Sequence, residues 1–485
     1  MIGVAVMGYG TIGSGVVDAL ETNREVVKRK VGDDVVVKAV LDLRDFPGQP
    51  IESRIVHDFA KIVDDPEIQI VVETMGGLEP AYTYVKACIL AGKQVTTSNK
   101  ALVAAHGTEL LALARERGQN FMFEASVGGG IPIIRPFYRS FAGERVEEIT
   151  GILNGTTNYI LTKMNEDGES FESALSEAQR LGYAERDPSA DVEGHDTCRK
   201  IAILAALATG REVDYQKIPT TGISGIGTLD FEYAKKLKKS IKLLGECRLV
   251  GAGPADGSGG AGQSAGGGSK AASATGLGQA GSGPANGAVA GAASGQAGGG
   301  AVAAPVCVSS AVRVEGNRCD VAYAEGEETV YASVEPALVD VNSPLYAIND
   351  VYNGIMVRGN MLGVSMFYGM GAGKYPTASA VVSDVIEMAN HLKTYIRIGW
   401  TGPQMDVEPL GALPYPYFVR LKGHATELFG DGDAGKDWQT VSSVKPGEFG
   451  VVTPPLAKAA LDEWLGSLAA KPGGDGAVLQ VIRVA

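Results

Sequence analysis

The sequence predicts an α/β protein with a doubly wound parallel sheet, followed by an α+β region and a small α+β unit at the C-terminal end. Three observations carry this expectation. Short apolar runs alternate with helical patterns through the first 132 residues, which is the rhythm of a parallel sheet with crossover helices. The run Gly8-Tyr9-Gly10-Thr11-Ile12-Gly13 falls between the first apolar run and the first helical one. From about Glu147 the alternation gives way to a mixed strand and helix pattern.

The elements follow in order. IGVAVM (2–7) is short, apolar and followed by Gly-rich sequence, so it reads as a buried parallel strand. Thr11 to Leu20 has helical spacing. VVVKAVLD (35–42), IQIVVETM (68–75) and KQVTTSN (93–99) are the next strands, and FMFEASVGGGIP (121–132) reads as a further strand with a Gly-rich loop. EEITGILNGTTNYILTKM joins a strand to a helix start, and SFESALSEAQRLG is an amphipathic helix stopped at Gly182. IKLLGECRL and ETVYASVEPALV read as strands of a mixed sheet with helices on one face. Residues 251–305 are mostly Gly, Ala, Ser and Gln with only Asp256 and Lys270 charged, a composition expected to be disordered and carried as an expanded loop between strands. SAVVSDVIEMANHL (379–392) is helical. In the tail, YPYFVRLKG, FGVVTPP and VLQVIRV read as strands and LAKAALDEWLGSL as a helix.

With 485 residues, 45% hydrophobic and 20% charged, the chain has room for two to four domains with real cores. The net charge of -13 with no basic stripe argues against a nucleic-acid partner. No apolar run is long enough to span a bilayer, and no signal peptide follows Met1, so the expected place is the cytoplasm, or the plastid stroma after removal of a transit peptide. Five scattered cysteines without a CxxC read as reduced thiols.

The glycine run is GxGxxG in its strand–turn–helix setting, the dinucleotide-binding signature of a Rossmann-type fold. Gly8 permits the tight turn, Gly10 lets a pyrophosphate approach, and Gly13 lets helix and strand pack closely. The phosphates are expected at the helix start, beside Thr11 and Ile12. Asp42 ends the second strand, where a carboxylate accepts from the ribose 2′-OH of NAD; Arg44 is placed to pair with the 2′-phosphate of NADP. The two pull in opposite directions, so the cofactor is NAD or NADP.

GYAERDPSADVEGHDTCRK runs directly into the apolar IAILAALATG. Asp196 and Lys200 are four apart and share a helix face. Burial at the mouth of such a helix lowers a lysine pKa and neighbouring carboxylates raise it, which suits a group that passes a proton. Glu185 and Asp191 add carboxylates, and three acids facing a cleft suit the ammonium of an amino-acid substrate. Lys100 closes the fourth strand at the carboxyl edge of the sheet, where ligands of open α/β sheets bind.

These residues resemble the homoserine dehydrogenase family over about residues 1–392, apart from 251–305. The motifs are VMGYGTIGSGV, TSNKALVA, FEASVGGGIPI, GILNGTTNYIL, GYAERDPSADVEGHDTCRK and YGMGAGKYPTASAVVSD. The resemblance implies interconversion of L-homoserine and L-aspartate 4-semialdehyde with NAD(P)(H), in threonine, methionine and isoleucine biosynthesis. It implies Lys200 as proton donor to the aldehyde oxygen, with Lys100 orienting substrate and nicotinamide. Glu185, Asp191 and Asp196 are implied as substrate-holding and lysine-orienting carboxylates. It places Gly182, Gly373 and the Met75 loop at the cofactor. A monovalent cation, sodium, is implied at Glu124 and the carbonyls of Val127, Gly129 and Ile131. The dinucleotide domain is then 1–132 completed by about 374–394, the substrate and dimerisation domain 133–373, and an ACT-like unit 400–485. The chain reads as the monofunctional form, with a homodimer or tetramer expected. Two departures stand out: Leu41 replaces an arginine that many relatives carry, and HATELFGDGDAGKDW lacks the usual effector-binding turn. The competing readings are an aspartate-semialdehyde dehydrogenase-like enzyme using Cys198 as nucleophile, and an inactive nucleotide- or amino-acid-binding regulator.

Overall fold

A computed structural model describes residues 1–250, 313–315, 318–320, 328–424, 438–469 and 477–485. The insert 251–305 and most of HATELFGDGDAGKDW lie outside the described residues. Residues 1–250 and 329–485 form one compact unit; within the remaining stretch, Arg313–Glu315 and Arg318–Asp320 pair antiparallel.

The N-terminal sheet contains β1 (Ile2–Met7), β2 (Val35–Leu41), β3 (Ile55–Val56), β4 (Ile68–Glu73), β5 (Gln94–Thr97) and β6 (Phe121–Met122). They pair in parallel in the order β3-β2-β1-β4-β5-β6. This is the doubly wound order, and its reversal between β1 and β4 opens the crevice where a dinucleotide lies. All six residues of β1 are buried, as a central strand covered on both faces must be. Helix Lys374–Asn390 returns to this sheet and packs on helix Thr11–Thr22. The approach is close: a Cβ on Gly15 would lie 2.9 Å from Lys374 and 3.1 Å from Ala378. Lys374 also pairs with Asp18 at 2.7 Å.

The second sheet is mixed and has ten strands. Its path runs Gly363–Met370, Tyr352–Gly359, Val146–Ile152, Lys239–Val250, Thr329–Asp340, Val478–Val484, Tyr417–Lys422, Glu448–Val452 and Gln439–Val441, with Val407–Pro409 beside Thr329–Asp340. Helix His195–Thr209 lies on it so tightly that a Cβ on Gly245 would meet Thr197 at 2.9 Å and Leu153 at 3.1 Å. The tail strand Val478–Val484 pairs parallel with Thr329–Asp340, so the C-terminal strands continue the same sheet. Arg483 locks that junction: it is buried, pairs with Glu335 at 2.6 Å and also pairs with Glu246.

Two elements differ from the sequence expectation. Of FMFEASVGGGIP only Phe121–Met122 is strand. A 3-10 turn follows at Glu124–Ser126, and Gly128 and Gly129 turn the chain at φ 73 and 55. The hairpin of Tyr352–Gly359 and Gly363–Met370 was not legible, because its edge strand exposes Val364, Met366, Tyr368 and Met370 instead of burying one apolar face.

Candidate active site

The turn after β1 supports a cofactor site through its glycines. Gly8 has φ 95, and a Cβ on Gly13 would lie 1.8 Å from the Gly8 carbonyl, so only glycine allows the helix to sit on the turn. A Cβ on Gly10 would meet nothing within 4 Å, so that face of the turn is open. The helix behind it, starting at Thr11 and Ile12, has no side-chain cap at Gly10, which leaves its first N–H groups for an anion. Opposite, Glu73 at the end of β4 is buried and accepts from Met75 N at 2.7 Å and Thr97 Oγ1 at 2.5 Å, fixing the Met75 loop to β5.

Asp42 lies at the end of β2 as expected, but its carboxylate is engaged. Oδ2 accepts from Tyr9 N at 2.7 Å and Arg44 Nη2 at 2.9 Å; Oδ1 accepts from Arg44 N at 3.0 Å and Nε at 2.9 Å. Arg44 holds the Asp42 carboxyl well below the usual range, outweighing its partial burial. The guanidinium also donates to Tyr9 O at 3.0 Å and lies 5.1 Å from the Phe46 ring centre.

The charged motif becomes a tight cluster where the two sheets meet. Gly194, at φ 84, turns the chain into helix His195–Thr209. Asp196 and Lys200 stand one turn apart and are both buried, at 3% and 7% exposure. Lys200 Nζ lies 2.7 Å from Asp196 Oδ2 and donates to Leu153 O at 2.6 Å. Lys100 arrives from the other sheet, at the start of helix Lys100–Arg117 just past β5. Asn99 caps that helix by accepting from Leu102 N at 3.1 Å, and its Nδ2 donates to Gly77 O at 2.6 Å. Lys100 Nζ lies 2.6 Å from Asp196 Oδ1. One carboxylate therefore bridges two ammonium groups, one from each sheet.

The electrostatics follow from that sharing. Burial pushes the Asp196 carboxyl up, but Lys200 and Lys100 together hold it well below the carboxylate range. The Asp196 charge raises Lys100. Burial lowers Lys200, with Asp196 pulling against it. Asp191, on the short helix Ser189–Val192, is raised by burial and by the charge of Asp196.

Glu185 stands apart from the Lys100–Asp196–Lys200 cluster. Its side chain is exposed, and among the described residues it joins no ion pair. The cause is local: Gln179 Nε2 holds the carbonyl of Glu185 at 3.0 Å and that of Arg186 at 3.4 Å, keeping this stretch on the surface after Gly182 (φ 77). Gly373, at φ 117, opens helix Lys374–Asn390.

Glu124 is buried, and its two oxygens accept from Ile134 N and Arg135 N, each at 2.8 Å. Its own N–H donates to Asp384 Oδ2 at 3.0 Å. Gly129 fits only as glycine, since a Cβ would lie 2.3 Å from Gly371 O. Among the described residues, no group of three or more His, Cys, Asp or Glu side chains could hold a metal.

Comparison with known proteins agrees with this arrangement. Residues 132–265 and 307–386 match the homoserine dehydrogenase family, and residues 8–124 match its NAD binding domain. The Synechocystis homoserine dehydrogenase is 37% identical over 387 residues, 79% of this chain and 72% of that protein. The Bacillus subtilis enzyme is 34% identical over 408 residues, 83% and 75% of the two chains. The chain belongs to the homoserine dehydrogenase family.

The solved homoserine dehydrogenase from Thiobacillus denitrificans superposes with a TM-score of 0.73 at 27% identity, covering 100% of this chain and 98% of that one. A hyperthermophilic archaeal homoserine dehydrogenase in complex with NADPH, 21% identical and covering 80% and 97%, shares the fold at a TM-score of 0.54. Cys198 does not fit a nucleophile in a homoserine dehydrogenase or in its rival. The thiol is buried, bonds to Tyr215 O at 3.2 Å, and burial raises its pKa. Sequence reasoning missed Asn154, which donates from Nδ2 to Asp191 Oδ1 at 2.7 Å and to Asp196 Oδ2 at 2.9 Å. The signal was present in GILNGTTNYIL, as an Asn directly before a helix start.

Proposed function

We propose that the protein interconverts L-homoserine and L-aspartate 4-semialdehyde using NAD(P)(H). The observation that carries this reading is the Lys100–Asp196–Lys200 bridge between the dinucleotide sheet and the mixed sheet. The bound nicotinamide supplies or accepts the hydride. Lys200 Nζ passes a proton to the aldehyde oxygen in reduction and takes it back in oxidation. Burial makes that ammonium a better acid, and Asp196 keeps it charged until it is needed. Lys100 orients the substrate beside the cofactor edge of β5, and Asp191 offers its carboxylate to the substrate ammonium. Purified protein with homoserine and NAD+ or NADP+ should show cofactor reduction; its absence with both cofactors rejects the reading.

Both cofactors fit. Arg44 must leave Asp42 to meet a 2′-phosphate, and Asp42 must leave Arg44 to accept from a ribose hydroxyl, so neither form has an undivided partner. The Glu124 loop suits sodium, whose hard-ligand preference is met by one carboxylate with the carbonyls of Val127, Gly129 and Ile131. The exposed apolar edge strand Gly363–Met370, with Tyr368 stacked on Tyr352 at 5.2 Å, supports association of two copies. Light scattering should give at least a dimer; a monomer at micromolar concentration rejects that part.

A further inference from the structure

We propose that Asn154 is a positioning residue that holds Asp191 and Asp196 side by side as two carboxylates, leaving Asp191 free to receive the substrate ammonium. The inference rests on the reaction proposed above. Asn154 ends the segment after strand Val146–Ile152 and caps helix Gly155–Glu166. Its Oδ1 accepts from Thr157 N at 2.8 Å and from Thr157 Oγ1 at 3.1 Å. That fixes the orientation of the amide, since a flip would set its NH2 against the Thr157 N–H and its oxygen against two carboxylates. The two Nδ2 protons therefore go one to Asp191 and one to Asp196, and Asn154 itself is 6% exposed.

The arrangement solves a problem that the lysines leave open. Asp196 is neutralised by Lys200 and Lys100. Asp191 joins no ion pair among the described residues, although an oxygen of each acid lies within 2.9 Å of the same nitrogen. The charges facing Asp191 are Asp196, which repels it, and Lys200 and Lys100, which attract it. A neutral double donor between the acids stabilises both as anions without spending a lysine charge on Asp191. That charge stays available for the substrate.

Serine tests this, because it also caps helices well but has one hydroxyl proton and cannot serve two carboxylates. In Asn154→Ser the KM for homoserine should rise on the order of tenfold or more, the loss of one charge-assisted hydrogen bond. The cofactor KM and Tm should stay close to wild type. Asn154→Asp keeps a cap but adds a third acid, and should lose more. A wild-type homoserine KM in Asn154→Ser overturns the proposal, as does a rise in both KM values accompanied by a lower Tm, which marks a structural role only. Titration of the Asp191 carboxyl by 13C NMR in the free protein reads the same contact without turnover. It should move to higher pH in Asn154→Ser, and an unmoved titration also overturns the proposal. Failure of the wild-type protein to oxidise homoserine would instead reject the reaction.

Discussion

Two buried lysines on the mixed sheet and its covering helix have opposite surroundings. Lys200 is held by a carboxylate and one backbone carbonyl. Lys242, 1% exposed, is held by neutral oxygens alone: Asn158 Oδ1 at 3.3 Å, Ile348 O at 2.5 Å and Asn349 Oδ1 at 2.8 Å. Burial lowers both, and brings Lys242 down to about 8. The difference teaches that burial alone does not mark a working lysine. Lys242 ties the 348–352 segment to helix Gly155–Glu166, whereas Lys200 shares its carboxylate with a residue from the other sheet.

Exchanging each lysine for methionine should separate these roles most sharply. Lys200→Met should lower kcat roughly 10²–10⁴-fold, the worth of general acid–base catalysis, while cofactor binding by fluorescence titration stays near wild type. Lys242→Met should leave kcat within a few-fold. Comparable losses in the two variants would erase the distinction.

Asp196→Asn should come next in size. It leaves two ammonium groups facing each other without their shared anion, and breaking one partner of a buried pair costs about 3–5 kcal/mol. Urea denaturation should show that loss alongside reduced kcat; an unchanged midpoint would mean that the bridge does not stabilise the fold.

The Lys242 site should appear in stability against pH. Its folded pKa of about 8 lies below the ordinary lysine value of 10.5, so between these pH values the unfolded chain binds the extra proton. Stability from this group therefore rises with pH through that window, by about 3 kcal/mol in total. It should show as a steeper slope in wild type than in Lys242→Met, and parallel curves would contradict it.

The smallest effect belongs to an exposed pair. Arg44→Ala should leave stability close to wild type, because its pair with Asp42 is exposed on the arginine side. It should raise the KM for NADP+ more than that for NAD+, and equal changes would remove Arg44 from phosphate recognition.

Much of this was legible before the structure. Asp196 and Lys200 came from a four-residue spacing beside an apolar run, because helix periodicity places them on one face. The glycine turn was legible because its backbone requirements admit few other residues. Lys242 was not, since IKLLGECRL reads as a strand and nothing local predicts that the 348–352 carbonyls close over it. The exposure of Glu185 was not legible, because composition shows a charge but not the direction in which a loop turns it. Asn154 was passed over as a helix start, when the second half of its amide was serving residues 37 and 42 positions away.

The place of Val478–Val484 inside the mixed sheet has a consequence for biosynthesis. Every other strand of that sheet leaves the ribosome earlier, yet this one lies between Thr329–Asp340 and Tyr417–Lys422. Until it emerges, Thr329–Asp340 lacks this neighbour and Glu246 and Glu335 lack the arginine that neutralises them. The nascent chain therefore holds an open seam from the synthesis of Thr329–Asp340 until Val478–Val484 emerges, and closes it with one late insertion.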